Sequence, residues 1–188
     1  MMRDDLATTG GQSAGVVASG QRIAVLDMAR TVALVGMAIY HFTYDLEMFG
    51  YIPPGTAVSG GFAVFARLVA GSFLFLAGVS LWLAHGQGLR WRPFLRRLGV
   101  IALAAGLITA ATRHALPDSY IFFGILHSIA FGSVIGLAFL RLPAILTLVA
   151  AAAVVVAKPH LQTGLFDAPW LAWIGLTTWP VRSVDFVP

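Results

Sequence analysis

Long apolar stretches alternate with short polar connections along most of this chain. Five stretches, at about residues 23–46, 62–84, 95–112, 119–140 and 142–157, are candidates for membrane-spanning helices, since about 20 apolar residues cross the hydrocarbon core of a bilayer. The nine prolines lie in the connections or at their edges, where they do not break a helix. The pattern predicts an all-α, polytopic transmembrane helix bundle with about five spans.

Composition agrees with a membrane protein. Hydrophobic residues make up 59% of the chain and charged residues 11%, whereas soluble domains have about 45–50% and about 25%. The net charge of +4 does not indicate a nucleic-acid partner, because the basic residues lie in short connections between apolar runs. The absence of cysteine excludes disulfides and thiolate metal sites. The predicted partner of most of the surface is therefore the lipid bilayer.

The two ends of the chain differ from the middle. Residues 1–21 show no apolar period, and we expect a mobile tail there, followed by one transmembrane domain over residues 22–188. After Lys158 the chain is more polar and contains Trp170, Trp173 and Trp179, which predicts a short interfacial helix. No closing helix follows, and we therefore expect this chain to be a C-terminally truncated form of a longer bundle.

The loop charges predict the orientation. Arg90, Arg92 and Arg96 lie between the second and third spans, Arg141 follows the fourth, and the 47–61 connection has no Lys or Arg. Because cytoplasmic loops are enriched in Lys and Arg, we expect a cytoplasmic N-terminus.

The first span carries four ionisable residues on one face. At about 100° per residue, Asp27, Arg30, His41 and Asp45 fall within about 60° of one another, and Arg30 and His41 are about 16 Å apart along the axis. Intramembrane charges cost at least about 2.5–3.5 kcal/mol and usually face the bundle interior or an aqueous cavity. This polar stripe is the main functional signal in the sequence.

Structural alternatives remain open for these residues. Asp27 and Arg30 have the spacing of a simple helix ion pair, and His41 with Asp45 is compatible with a water-facing helix end. His127, which shares a face with Tyr120 if both are helical, is compatible with a core histidine bonded to a carbonyl.

The remaining ionisable side chains give weaker signals. Arg67 is placed either to pair with Asp45 or to face the headgroups. The other histidines are assigned to connections, without a role: His85, His114 and His160. His41, Asp45 and His127 are suitable ligand types for a metal, but no further ligand spacing supports one, and none is predicted.

Three strings resemble one family. Arg22-Ile-Ala-Val-Leu-Asp27-Met-Ala-Arg30 followed by His41, the run Phe65 to Ser80, and Phe123-Gly124-Ile-Leu-His127 occur in the order seen in bacterial forms of the heparan-α-glucosaminide N-acetyltransferase catalytic domain family. The resemblance covers about Arg22 to Pro188. Thr31 differs from the glycine that family members usually have there.

The resemblance implies a multi-pass acyltransferase of the bacterial inner membrane. The implied reaction moves an acyl group, most simply acetyl from acetyl-CoA, from the cytoplasm to a sugar or glycan acceptor on the extracytoplasmic side. A homo-oligomer is compatible with it, and no metal is implied.

The resemblance also implies roles for the polar stripe. Arg22, Asp27 and Arg30 are expected to bind the donor. His41 is expected to deprotonate the acceptor or carry the acyl group, with Asp45 orienting its ring and His127 positioning the acceptor or assisting proton transfer. The alternatives are a proton-coupled transporter, because intramembrane His, Asp and Arg chains also relay protons, and a non-catalytic membrane subunit.

Overall fold

The computed structural model describes residues 24–179 and Asp185, and this part of the chain is helical without strands. It contains α1 (Ala24–Met48), α2 (Gly60–His85), α3 (Trp91–Ala115), α4 (Ile125–Phe139) and α5 (Ala144–Leu161). Two 3₁₀ turns follow, Gly164–Phe166 and Pro169–Ile174. The predicted all-α helical bundle is confirmed, whereas the tail predicted for residues 1–21 lies outside the described residues.

Four of the five helices are long and apolar enough to cross a membrane: α1, α2, α3 and α5. The fourth, α4, has 15 residues and is therefore only about 22 Å long. Large apolar side chains face outward, with Phe75 at 70% and Val155 at 73% exposure. Such a surface is suited to lipid, and the chain is a multi-pass membrane protein.

The start of α4 differs from the sequence prediction. A span from residue 119 was predicted, but α4 begins at Ile125, and residues 116–124 form a non-helical segment. The Thr112 hydroxyl accepts a hydrogen bond from the Ile121 amide at 3.1 Å, and the Thr109 hydroxyl donates to the Ile121 carbonyl at 2.7 Å. Irregular backbone is tolerated at membrane depth when its polar groups are bonded in this way. The third span is correspondingly longer than the predicted 95–112.

Tyr120 therefore does not share a helix face with His127, and that part of the prediction is wrong. Tyr120 precedes α4 and lies under the guanidinium of Arg113, whose Cζ is 5.5 Å from the ring centroid. A cation over an aromatic face is a favourable electrostatic contact. The pair therefore anchors the non-helical segment to the end of α3.

The helices pack in the order α1, α2, α4, α3, with α2 and α4 at the centre. Close approach of α1 to α2 depends on Gly36, where an added Cβ would be 2.8 Å from Val69 Cγ2. Small residues at such crossings allow helix backbones to approach in a membrane. By contrast, α5 has no buried residue and lies at the periphery of the described bundle.

Hydroxyl side chains within the helices bond to their own backbone. Thr43 donates to the carbonyl of Ile39 at 2.9 Å, and Ser133 donates to the carbonyl of Ile129 at 2.6 Å. Because lipid offers no hydrogen-bond partner, this back-bonding satisfies the hydroxyl group locally. These two hydroxyls are thus accommodated without water.

The histidines assigned to connections lie in helices, which corrects that prediction. Each of the three belongs to the last turn of a helix, because the helices extend beyond their apolar cores: His85, His114 and His160. A basic residue there interacts favourably with the negative end of the helix dipole. His85 is buried, its Nδ1 is 3.2 Å from the Leu81 carbonyl oxygen, and its ring packs edge-on to Phe94.

The connection between α1 and α2 is held by one carboxylate. Glu47 accepts hydrogen bonds from the Gly55 amide at 2.6 Å and from the Ala57 amide at 2.7 Å. The two bonds fold the connection back over the end of α1. They close the end of the bundle near which His41 lies.

The segment after α5 folds back onto α4. Asp167 accepts bonds from the Thr178 amide at 2.8 Å and the Thr178 hydroxyl at 2.7 Å, and its carbonyl accepts the Trp179 indole N–H at 3.2 Å. Trp173 packs edge-on to Phe131 of α4, with ring centroids 5.2 Å apart. The predicted short Trp-containing helix is present as the second 3₁₀ turn.

The orientation is testable by cysteine labelling, since the chain has no cysteine of its own. In spheroplasts, we expect an impermeant maleimide to label Val58→Cys in the α1–α2 connection. We expect Gln87→Cys in the α2–α3 turn to react only after permeabilisation. The reverse pattern would contradict a cytoplasmic N-terminus.

Replacement of Asp167 by Ala is expected to loosen the segment after α5. The Thr178 hydrogen bonds hold the pKa of Asp167 below its ordinary value. The carboxylate therefore stabilises the fold above the unfolded pKa of about 3.9, and this stabilisation is lost as the pH falls through the lower folded value. Limited proteolysis within 162–179 should be faster in Asp167→Ala at pH 7, and the wild type should approach it on acidification. Gln162→Ala, an exposed change in the same segment, is the control, and equal cleavage rates in all three proteins would refute the role of Asp167.

Candidate active site

An arginine joins α1 to α2 at the end of the bundle where α1 begins. The Arg30 Nη1 is 3.0 Å from Asp27 Oδ1, and its Nη2 donates to the Ser80 hydroxyl at 2.6 Å. Ser80 in turn donates to the Leu76 carbonyl. Asp27 and Arg30 therefore form the ion pair that their spacing allowed, but the guanidinium also reaches a second helix.

A second arginine lies close to Arg30. Arg97 of α3 is half-buried and lies within range of a charge interaction with Arg30. Among the described residues the one ion pair is that of Arg30 with Asp27. This end of the bundle thus has an excess of positive charge, where an anion would be stabilised.

An open groove adjoins Arg97. It has a volume of about 640 Å³ and is lined by residues of the first turns of α3: Arg92, Pro93, Arg96, Arg97, Val100 and Ile101. From the sequence, Arg92 and Arg96 predicted only the orientation of the chain. Nothing in the spacing indicated that Arg97 in particular would approach Arg30 on another helix. The predicted donor residue Arg22 lies outside the described residues.

His41 and His127 line the same cavity. The cavity has a volume of about 370 Å³ and lies between α1, α2, α3 and the start of α4, a size within the usual range for small-ligand sites. Its walls are largely apolar, with contributions from Leu34, Phe73 and Ile108. The two imidazoles thus meet across an apolar space, although they are 86 positions apart in the chain.

His127 holds the first turn of α4. Its Nδ1 accepts a hydrogen bond from the Gly124 amide at 3.2 Å, so the ring proton is assigned to Nε2, which lies 3.3 Å from the Thr109 hydroxyl. Thr109 donates onward to the Ile121 carbonyl. Both ring nitrogens are thus engaged, by an amide and a hydroxyl rather than by the carbonyl considered from sequence.

Asp45 is not brought against His41. It is exposed, it does not line the cavity, and it forms no ion pair with His41 or Arg67 in the described part of the chain. The His41 ring instead has an edge contact with its neighbour Tyr40, with centroids 5.6 Å apart. Within residues 24–179 and Asp185, no three His, Asp or Glu side chains come together as a metal site.

Asp185 is a cavity residue that sequence reasoning missed. Its Oδ2 accepts a hydrogen bond from the Ile125 amide at 2.9 Å, and it lines the cavity together with His41 and His127. No periodic pattern links Asp185 to α4, since 60 residues separate it from Ile125.

Aromatic rings extend from His127 toward the segment after α5. The Phe123 ring is 5.8 Å from that of His127 and 5.9 Å from that of Trp173. These contacts connect the cavity to the surface formed by the second 3₁₀ turn. The side of His127 that faces the segment after α5 is therefore aromatic, in contrast to the basic end around Arg30.

Comparison with curated proteins and with solved structures finds no match. The family model described as heparan-alpha-glucosaminide N-acetyltransferase, catalytic, does match, over residues 22–188. The matched region contains every described helix, both histidines of the cavity and both arginines of the basic end. The chain belongs to the heparan-alpha-glucosaminide N-acetyltransferase catalytic family.

Proposed function

We propose that this protein is a membrane acetyltransferase that moves an acetyl group from cytoplasmic acetyl-CoA to a sugar-type acceptor on the other side of the bacterial inner membrane. The observation that carries the proposal is the layout along α1. A basic end at Arg30 and a cavity containing His41 are about 16 Å apart along one helix. An extended thioester donor with phosphates at one end needs a site of this shape.

The basic end is suited to the donor phosphates. Arg30 is held in place by Asp27 and Ser80, and its repulsion of Arg97 is relieved when an anion lies between or beside them. Guanidinium groups bind phosphate with two parallel hydrogen bonds. The groove along the first turns of α3 offers room for the remainder of the nucleotide.

His41 is proposed to act on the acceptor. One route has an imidazole nitrogen take the proton of the acceptor hydroxyl or amine while the acceptor bonds to the thioester carbon. The carbon–sulfur bond then breaks, and the leaving thiolate recovers the proton. In the other route His41 itself bonds to the acetyl carbon, releases the thiol and passes the acetyl group to the acceptor.

The other predicted residues differ in their relation to His41. Asp45 is exposed and forms no ion pair with His41 among the described residues, so it is given no part in this scheme. His127 is proposed to shape the acceptor end of the cavity rather than to exchange protons, since both of its ring nitrogens are engaged. The aromatic rings of Phe123 and Trp173 are suited to the apolar face of a sugar.

His41→Ala is expected to lower acetyl transfer from labelled acetyl-CoA by at least about 10²-fold, the usual contribution of a general base. The measurement uses detergent-purified protein at matched folded yield. His160→Ala, an exposed change at the end of α5, is the control and should keep wild-type activity. Full turnover in His41→Ala would remove His41 from the mechanism. Proton-driven uptake of unmodified substrate would indicate a transporter. A His41→Ala variant that lost only stability would indicate a non-catalytic membrane subunit.

Arg97→Gln is expected to raise the KM for acetyl-CoA by about tenfold, which corresponds to the loss of about 1.4 kcal/mol of binding, with little change in kcat. Only the phosphate contact is removed, and it is remote from the reacting carbon. Arg141→Gln in the α4–α5 turn removes a charge from the same side of the membrane and should leave KM unchanged. Equal KM values in both variants would exclude Arg97 from the donor site.

A further inference from the structure

Asp185 and His127 hold consecutive amides of the same turn. Asp185 accepts from the Ile125 amide, and His127 accepts from the Gly124 amide. These amides belong to the first turn of α4, which would otherwise be unbonded in an apolar setting. A carboxylate there is also favoured by the positive end of the helix dipole. The direction of the His127 ring and the position of Asp185 therefore depend on the same piece of backbone.

The absence of a side chain at Gly124 leaves the space that the Asp185 carboxylate occupies beside α4. A Cβ added at Gly124 would clash with Asp185 Oδ2, and it would be 2.8 Å from Ile121 Cγ2 and 3.0 Å from Asp185 Cγ. The backbone of Gly124 has φ −96° and ψ −168°, an extended conformation that any residue adopts. Glycine is thus required for space and not for its dihedral angles. Any side chain here would push the carboxylate away from α4.

The carboxylate borders the cavity as well as holding the turn. Asp185 lines the cavity that contains His41 and His127. Among the described residues, the hydroxyls of Thr109 and Ser128 also lie near this turn. Asp185 thus connects the first turn of α4 to the wall of the cavity.

We infer that Asp185 is a positioning residue of the acetyl-transfer site: by binding the Ile125 amide against Gly124, it fixes the first turn of α4 and with it His127 opposite His41. The inference rests on the proposed function for its catalytic consequence. Asp185 acts through the backbone of α4 and does not itself take part in bond making. Its loss therefore changes the rate of transfer and leaves donor binding at the basic end intact.

The kinetic test uses Asp185→Ala, Asp185→Asn and Gly124→Ala in the full chain, with Asp118→Ala in an exposed turn as control. Asp185→Ala and Gly124→Ala should each lower kcat by about tenfold or more, since small misplacements of site groups have effects of this size. The KM for acetyl-CoA should not change. Asp185→Asn keeps an accepting oxygen and should recover most of the rate.

The kcat of the double variant Gly124→Ala/Asp185→Ala shows whether the two substitutions act on one contact or lower the rate independently. Because both changes break the same contact, the double variant should lose no more than the worse single variant, whereas independent effects would multiply. Multiplying effects, or a kcat of Asp185→Ala equal to that of the wild type at matched folded fraction, would overturn the inference.

A second readout does not depend on activity. Peptide mapping after treatment with diethyl pyrocarbonate measures how readily each histidine is modified. His127 should react several-fold faster in Asp185→Ala and Gly124→Ala, while exposed His160 should be unchanged. An unaltered His127 rate would overturn the positioning role. If the wild type transfers no acetyl group, the proposed function fails, but this modification rate still decides whether Asp185 positions His127.

Discussion

The hydrocarbon core of a bilayer offers no hydrogen bonds, and this constraint governs the whole structure. Each backbone amide and each polar side chain within it needs a partner from the protein. The hydroxyls of Thr43 and Ser133 meet the requirement by bonding to their own helices. The more demanding case is the segment before α4, where the chain leaves the helical conformation. There the bonds come from three other parts of the chain, namely Thr109 and Thr112 of α3, His127 of α4, and Asp185.

The candidate site includes the side chains that hydrogen-bond to the backbone of this segment. An unbroken fourth helix would have placed His127 in the middle of a regular span with its own amide ladder complete. The late start of α4 instead leaves the amides of Gly124 and Ile125 outside a regular helix, where they bind the imidazole and the carboxylate. The same break opens the space into which His41 faces from α1. The hydrogen bonds to the segment before α4 and the geometry of the candidate site thus both arise from the break between α3 and α4.

The fold was largely predictable from sequence because helix length and order depend on apolar runs and their punctuation. The start of α4 was not, since residues 120–123 are as apolar as a helix and only Pro117 and Gly124 mark the break. Periodicity also identified the stripe from Asp27 to Asp45, but it gave no information on which neighbouring helix each side chain meets. Arg97 and Asp185 approach the stripe and the cavity through tertiary packing. The burial of His85 likewise depends on Phe94 of the next helix.

The proximity of Arg30 and Arg97 has an effect on the energetics of the empty protein. Arg97 is half-buried and lies within range of a charge interaction with Arg30, which is itself paired with the Asp27 carboxylate. An anion that bound between the two guanidinium groups would do so only in the folded bundle, so its binding and the folding of the bundle would be thermodynamically linked. For a ligand at one hundred times its dissociation constant, such linkage adds about 2.7 kcal/mol to the free energy of unfolding. If the proposed donor binds at this end of the bundle, the cohesion of the helices there would depend in part on the donor concentration.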